Sequence, residues 1–322
     1  MKQKNIGEFL KGVRIAAVAG HVNPDGDCVG ACLGVYNYIR DNFPETDVDV
    51  YLQKPRQVFQ FMNGFNSIHT ELIPGKQYDL LILLDISSRD RIGVAEPLVD
   101  AAEKTLCFDH HVTNRGSYSW LFNVPEISST CELVFSFMDE TKVSRNCAEC
   151  IYTGIVHDTG VFQYSSTSPD TLRAAAKLME KGVPFSEIIE RTFFEKTYVQ
   201  NQLLGRSLME SILLFNGRLI ISYMRQRDMR FYGVTSADME GIVSQLRNTA
   251  GVEVAVFMYE TDSEVYKVSL RSRETVDVSE IAQHFGGGGH IRAAGATMQG
   301  TPHDVINNLT YYIEKALYPE KE

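Results

Sequence analysis

The sequence lacks an apolar run long enough to cross a lipid bilayer. Such a segment needs about 18 consecutive apolar residues, and the 322-residue sequence contains none. The amino-terminal residues, MKQKNIGEFLKG, also lack the apolar core of a secretory signal peptide. We therefore expect no membrane partner and a cytoplasmic location.

Cysteines are few, and their spacing is not that of a zinc site. The six are Cys28, Cys32, Cys107, Cys131, Cys147 and Cys150. Only Cys147 and Cys150 form a C-x-x-C pair, and no second pair is present to complete a tetrahedral zinc site. Because most of these cysteines stand within apolar patterns, we expect buried, reduced thiols, which also indicates the cytoplasm.

The sequence has no excess of basic residues. It contains 31 Lys and Arg against 41 Asp and Glu, a formal net charge of −10. A protein that binds long duplex nucleic acid must neutralise many phosphates, so we expect no such partner. A short nucleotide substrate remains compatible with this charge.

The length and the pattern of elements predict two α/β domains. In the first, alternating apolar and helical segments predict a parallel sheet with helices on both faces. Its predicted strands are Val13–Ala19, Val48–Leu52, Leu80–Leu84, Thr105–Phe108 and Ile151–Val156. The second is a smaller α/β domain with a mixed sheet, whose predicted strands are Arg218–Met224, Val252–Tyr259 and Val265–Arg271. We expect domains at 1–186 and 211–322, a helical linker at 187–210, and an active site in the cleft between the domains.

Acidic and histidine residues follow four of the predicted strands. They are His21, Asp25 and Asp27 after the first, Asp85 after the third, Asp109, His110 and His111 after the fourth, and His157 and Asp158 after the fifth. Ligands bind beyond the carboxyl ends of parallel strands, and several carboxylates at one edge repel each other unless a cation compensates them. Oxygen and imidazole ligands without thiolates suit Mn²⁺ or a similar divalent ion. Asp85 is the expected bridge between two ions.

A glycine run near the carboxyl terminus predicts a phosphate-binding loop. In HFGGGGHIRAAGA, we expect backbone N–H groups of Gly287, Gly288 and Gly289 to approach a phosphate, with His290 as a further donor. The strand EVYKVSLRSR alternates, so Arg271 shares the polar face with Lys267, and that face is available to substrate.

Taken together, these segments resemble a known family. HVNPDGD, LLDISSRDRIG, DHH and TGIVHDTGVFQY resemble the four motifs of the DHH phosphoesterase superfamily, and GGGGH resembles the signature of its DHHA1 partner domain. The most similar branch is that of short bifunctional oligoribonucleases, which degrade very short RNA and convert 3′-phosphoadenosine 5′-phosphate (pAp) to AMP. The resemblance implies a metal-dependent hydrolase with two divalent ions, expected to be Mn²⁺, and is compatible with a homodimer.

The resemblance also implies roles for individual residues. The first ion would be held by His21, Asp25 and Asp85, and the second by Asp27, Asp85, His110 and Asp158. His111 would face the scissile phosphate, and Arg271 and His290 would stabilise its charge. We further expect Asn114 to help position the phosphate, Asp109 to orient a histidine, and His157 to be structural.

Other functions remain open at this stage. The same site could hydrolyse cyclic di-AMP or its linear product pApA. A family II inorganic pyrophosphatase shares the first-domain motifs, but the GGGGH run disfavours it. A long-strand exonuclease of the RecJ type is usually larger. A catalytically inactive nucleotide sensor would lack a ligand, whereas all the expected positions are filled.

Overall fold

The computed structural model describes residues 5–319. The chain forms two compact units, with the boundary between Glu195 and Lys196. The segment 187–210, predicted as a helical linker, contains this boundary and is helical on both sides of it. No helix in the described part of the chain has both the length and the apolar character that a membrane span requires.

The first unit consists of a six-stranded sheet and its covering helices. Its strands are β1 (Ile15–Ala19), β2 (Asp47–Tyr51), β3 (Ile68–His69), β4 (Leu80–Leu84), β5 (Lys104–Asp109) and β6 (Trp120–Asn123). Its α-helices are α1 (Gly26–Asn42), α2 (Leu98–Ala101), α3 (Thr130–Ser136), α4 (Arg145–Asp158), α5 (Pro169–Met179) and α6 (Phe185–Ile189), and a π-helix follows at Glu190–Phe194.

All strand pairs of this sheet are parallel, in the order β3-β2-β1-β4-β5-β6. Successive residues of β1 enter opposite cores: Ala16 and Val18 lie in one apolar cluster, and Ala17 and Ala19 lie in the other. Both faces of the sheet are therefore covered, which is why β4 is apolar throughout and fully buried. The predicted parallel α/β architecture is confirmed.

Helices α1 and α4 pack closely because two glycines of α1 face α4. A Cβ atom at Gly30 would lie 2.5 Å from the backbone oxygen of Cys150, and one at Gly34 would lie 2.4 Å from Ile151 Cδ1. The absence of a side chain at Gly30 and Gly34 therefore permits close contact between α1 and α4.

The predicted strand at 151–156 is wrong, because these residues belong to α4. A short, mostly apolar run such as IYTGIV fits a buried strand or a buried helix equally well. Here the helix begins after Ser144, whose side chain accepts a hydrogen bond from the backbone of Cys147, and it continues for 14 residues to Asp158. Strands β3 and β6 were not predicted; they are short and lie at the two edges of the sheet.

The second unit contains a mixed sheet, as predicted. Its strands are β7 (Ile212–Leu214), β8 (Leu219–Met224), β9 (Val254–Asp262), β10 (Val265–Ser272), β11 (Gly288–His290) and β12 (Ala293–Gln299), in the order β11-β12-β10-β9-β8-β7. Only β8 and β9 pair in parallel. The helices are α7 (Tyr198–Met209), α8 (Gln226–Tyr232), α9 (Ile242–Arg247), α10 (Val278–Gln283) and α11 (Pro302–Leu317).

Candidate metal centre

The ends of three strands and of two helices bring the predicted ligands together in the first unit. His21 follows β1, Asp85 follows β4, and His110 follows β5. Asp27 lies in the first turn of α1. The sequence suggested that Asp158 follows a strand, but it is the last residue of α4.

The loop after β1 orients His21 through a backbone contact. Nδ1 of His21 lies 2.8 Å from the carbonyl oxygen of Val22, which assigns the proton to Nδ1. Nε2 is then left to face Asp85 Oδ2 at 3.3 Å and Asp25 Oδ1 at 3.8 Å. Burial opposes a charge on His21, but the two carboxylates outweigh it and raise the pKa of the imidazole. They thus attract positive charge to Nε2.

The two oxygens of Asp85 face different histidines. Oδ2 lies 3.3 Å from His21 Nε2, whereas Oδ1 lies 3.7 Å from His110 Nε2 and 3.5 Å from His111 Nδ1. The hydroxyl of Thr130 donates to Oδ1 at 3.2 Å. The residue is only 2% exposed. A carboxylate divided in this way has the arrangement that a ligand shared by two metal ions needs.

Asp27 is held by the start of α3. Its Oδ2 accepts from the backbone N–H of Thr130 at 2.7 Å, and its Oδ1 accepts from that of Cys131 at 3.0 Å. Burial and the nearby Asp85 carboxylate raise the pKa of Asp27 to about 7. Burial and the carboxylates of Asp27 and Asp85 raise the pKa of Asp158 to about 9. These shifts record an excess of negative charge that a divalent cation would neutralise.

Three groups of side chains in the described residues have ligand atoms within 4.8 Å of one another. They are His21–Cys28–Asp85, Asp85–His110–His111 and Asp27–His110–Asp158. Cys28 stands here where Asp25 was predicted. Its Sγ accepts the backbone N–H of His21 at 3.2 Å, and burial raises the pKa of this thiol well above its usual value. Cys28 therefore supports the loop, while Asp25 caps α1 and faces His21 Nε2. The donor set fits a pair of divalent ions.

Asp109 orients His111, as predicted for a residue behind the ligands. Asp109 Oδ1 lies 2.8 Å from His111 Nδ1, and this hydrogen bond raises the pKa of His111. Asp109 is fully buried. Because Nδ1 is engaged by the carboxylate, Nε2 of His111 is the ring nitrogen left to face a ligand.

The structure corrects the prediction that Asn114 positions a phosphate. Both amide hydrogens of Asn114 are engaged within the protein: Nδ2 lies 2.8 Å from the carbonyl oxygen of Ile86 and 3.5 Å from Cys107 Sγ. The side-chain oxygen accepts from the backbone N–H of Gly116. Asn114 is buried and holds the loop that follows Asp85.

His157 packs among aromatic rings behind the site. Its ring centroid lies 5.1 Å from that of Phe59 and 4.5 Å from that of Phe193 in the π-helix. A Cβ atom at Gly26 would lie 2.1 Å from His157 Cγ. Burial lowers the pKa of His157 to about 4, so the ring is neutral. These contacts agree with a structural residue.

Sequence reasoning missed one contribution: the first N–H groups of α3, after its capping residue Ser129, hold Asp27. The guanidinium of Arg91 lies beside the site and donates to the carbonyl oxygen of Val22 at 3.3 Å, close to His21 Nδ1. Arg89, in contrast, pairs with Glu96 and Asp100.

In the second unit, the glycine run is an edge strand rather than a loop. Gly288–His290 form β11, which pairs only with β12 and is exposed. A Cβ atom at Gly287 would lie 2.2 Å from the carbonyl oxygen of Gly295, and one at Gly289 would lie 2.4 Å from that of Ala293. Glycine at these positions therefore permits the close approach of β11 to β12.

The sheet register aligns Arg271 with His290. Arg271 pairs with Ala293, and Ala293 pairs with His290, so the three residues form one row across β10, β12 and β11. Directly paired residues project from the same face, and two strand spacings separate Arg271 from His290 by about 10 Å at Cα. The next row on this face is Ser269, Gly295 and Gly288. Two nitrogen-bearing side chains thus flank a floor of small residues.

Comparison with known proteins agrees with this organisation. The family description "DHH family, N-terminal domain" matches residues 16–155, and "DHHA1 domain" matches residues 216–317. A crystal structure of an exopolyphosphatase-related protein from Bacteroides fragilis superposes with a TM-score of 0.88 at 25% identity, covering 96% of this chain and 94% of that one.

Two curated relatives are similar over most of their length. The bifunctional oligoribonuclease and PAP phosphatase NrnA of Thermus thermophilus is 31% identical over 94% of this chain and 90% of its own. The protein of the same name from Bacillus subtilis is 27% identical, over 86% and 87% respectively. The chain therefore belongs to the DHH/DHHA1 family.

Proposed function

We propose that this protein hydrolyses phosphate esters in very short nucleotides. The substrates are oligoribonucleotides of a few residues, which it converts to mononucleotides, and pAp, which it converts to AMP. The names of the Thermus and Bacillus relatives support both activities. The observation that carries the proposal is the division of the two Asp85 oxygens between His21 and His110.

We further propose that two Mn²⁺ ions act at this site. His21, Asp25 and Asp85 would hold one ion, and Asp27, Asp85, His110 and Asp158 the other. When bound, such a pair lowers the pKa of a shared water and neutralises charge on the phosphate. Carboxylate and imidazole donors without a thiolate favour Mn²⁺ over softer ions.

His111 acts on the phosphate. Asp109 engages Nδ1, so Nε2 is the nitrogen directed to a phosphate oxygen. In the reaction, the oxygen of water bonds to phosphorus, the bond from phosphorus to the leaving oxygen breaks, and the leaving oxygen takes up a proton in place of the one that the water loses. A histidine of fixed orientation stabilises the charge that develops during this exchange.

The row Arg271–Ala293–His290 binds a phosphate of the substrate. Arg271 and His290 supply donors, and the floor of Gly288, Ala293 and Gly295 leaves room between them. Elsewhere the protein is acidic, which disfavours the binding of a long polyanion. A short nucleotide is the substrate class that fits both a phosphate-binding row and an acidic surface.

The activity belongs in a reducing compartment. All six cysteines are free and buried in the structure. Since buried thiols of this kind persist where disulfides are disfavoured, we propose that the protein acts in the cytoplasm.

The test is a comparison of substrates under one set of conditions. Metal-loaded protein is assayed on pAp, RNAs of two to five nucleotides, pApA, cyclic di-AMP and pyrophosphate, with Asp85→Asn as the inactive control. We expect the highest kcat/KM on pAp and the shortest RNAs. Preference for cyclic di-AMP or pyrophosphate would contradict the proposal.

A further inference from the structure

The turn between β11 and β12 is tied to the segment that joins β10 to α10. The carbonyl oxygen of Ile291 accepts from the backbone N–H of Val278 at 2.9 Å, and that of Arg292 accepts from the N–H of Ser272 at 3.2 Å. This turn carries His290 at its start. These two bonds join the turn to the residues on either side of 273–277, so we expect the position of His290 to depend on how firmly residues 273–277 are held.

A buried carboxylate holds that segment by its N–H groups. Glu253, which immediately precedes β9, is 8% exposed. Its Oε1 accepts from the backbone N–H of Thr275 at 2.6 Å and of Val276 at 2.9 Å, and both oxygens accept from that of Glu274. Burial opposes ionisation, but these hydrogen bonds outweigh it and lower the pKa of Glu253.

A guanidinium holds the same segment by its carbonyl groups. Nη1 of Arg292 donates to the carbonyl oxygen of Val276 at 2.8 Å, and Nη2 donates to that of Glu274. Two carbonyls two residues apart match the fixed fork of an arginine, which the single ammonium of lysine cannot reproduce. Because both terminal nitrogens of the guanidinium donate within the protein, Arg292 orients other residues.

We propose that Glu253 and Arg292 are positioning residues that set the place of His290 in the row opposite Arg271, and thereby the affinity for a substrate phosphate. The inference rests on the proposed function for the identity of the ligand. The clamp, by which we mean the hydrogen bonds from Glu253 and Arg292 to residues 274–276, lies within the second unit. In the clamp, a carboxylate binds the N–H groups of the segment and a guanidinium binds its carbonyl groups.

The experiment is a double-mutant cycle with pAp as the substrate. Arg292→Ala and Glu253→Ala should each raise KM about tenfold, the size expected for a lost charged hydrogen bond, with a smaller change in kcat. Arg292→Lys should behave like Arg292→Ala. Glu253→Gln should remain near wild type, because an amide oxygen can still accept from Thr275 and Val276. In the His290→Ala background, Arg292→Ala should add almost nothing.

Two measurements separate positioning from simple loss of structure. Mn²⁺ stoichiometry should be unchanged in every variant, because the metal ligands lie in the first unit. Hydrogen exchange should rise at residues 288–293 in Arg292→Ala and Glu253→Ala but not in His290→Ala. Independent, additive effects of Arg292→Ala and His290→Ala on KM, or unchanged exchange, would overturn the proposal. Absence of pAp turnover in the wild type would instead contradict the proposed function, while the exchange experiment would still decide the clamp.

Discussion

Asp109 Oδ1 lies 2.8 Å from Nδ1 of His111. The carboxylate of Asp109 is fully buried and the imidazole of His111 is partly buried, so the orientation of the ring is fixed. This contact determines which ring nitrogen carries the proton, and therefore which one meets the substrate.

We expect Asp109→Asn to lower kcat by about two orders of magnitude or more. The amide is nearly the same size, but it can donate to Nδ1 and so favour the wrong tautomer of His111. Metal content, measured by mass spectrometry, should remain unchanged. In the His111→Ala background the substitution should cost nothing further. An equal loss in both backgrounds would show that Asp109 acts elsewhere.

Asp85→Asn should abolish turnover while leaving the protein folded. Asp85 has a φ of 61°, in the left-handed region that asparagine adopts at a lower cost than alanine does. The variant thus removes the bridging charge with little backbone strain, and bound metal should fall. Asp90→Asn is the matched control, since Asp90 is exposed on the same loop. Substantial activity in Asp85→Asn would refute the shared-ligand assignment.

Chelation should inactivate the enzyme and make its stability depend on pH. Without metal, the pKa is about 7 for Asp27 and about 9 for Asp158, against 3.8 for an unperturbed aspartate. The folded state then binds more protons than the unfolded state between about pH 4 and 9, so stability falls as pH rises through that window. The raised pKa of His21 acts in the same direction.

The measurement is the Tm of the chelated protein across this pH window, with and without added Mn²⁺. The metal-free Tm should decrease with pH, and Mn²⁺ should restore both stability at high pH and activity. Mg²⁺ should restore less activity. If the Tm of the metal-free protein stayed constant or rose with pH, the pKa values of Asp27 and Asp158 would not be raised by neighbouring carboxylates as we infer.

Gly26→Ala should destabilise the protein by about 1–3 kcal/mol through overpacking. The new methyl group would meet the ring of His157 at 2.1 Å. The loss should be partly relieved in the His157→Ala background. Gly205→Ala is the control: it lies within α7 with nothing within 4 Å of the added Cβ, and it should stabilise by about 0.5–1 kcal/mol. Equal effects of the two substitutions, measured by urea unfolding, would argue against the packing account.

The sequence was most informative at the carboxyl ends of the parallel strands. Runs such as LLILL predict buried strands, and topology then requires that His21, Asp85 and His110 meet at one edge. The same reasoning failed for Asp158, because the apolar run before it has no periodicity that separates a strand from a helix. The residue type still indicated the chemistry, although the predicted element was wrong.

Contacts between distant segments were the part that sequence could not supply. Asn114 carries an amide that suits a phosphate, and only the structure shows that Ile86 and Cys107 already engage it. Likewise, only the structure shows that the first N–H groups of α3 face Asp27. Such pairings depend on how helices and loops pack over the sheet.

Ala293 lies between Arg271 and His290, so the size of the residue at position 293 can distinguish related sequences by function. A bulky residue there would fill the space between the two flanking side chains while leaving every family motif intact. On the proposed binding mode, such a relative would retain its metal ligands and its glycines yet bind the phosphate poorly. A single position outside the GGGGH signature would then distinguish nucleotide hydrolases from relatives that act on other substrates.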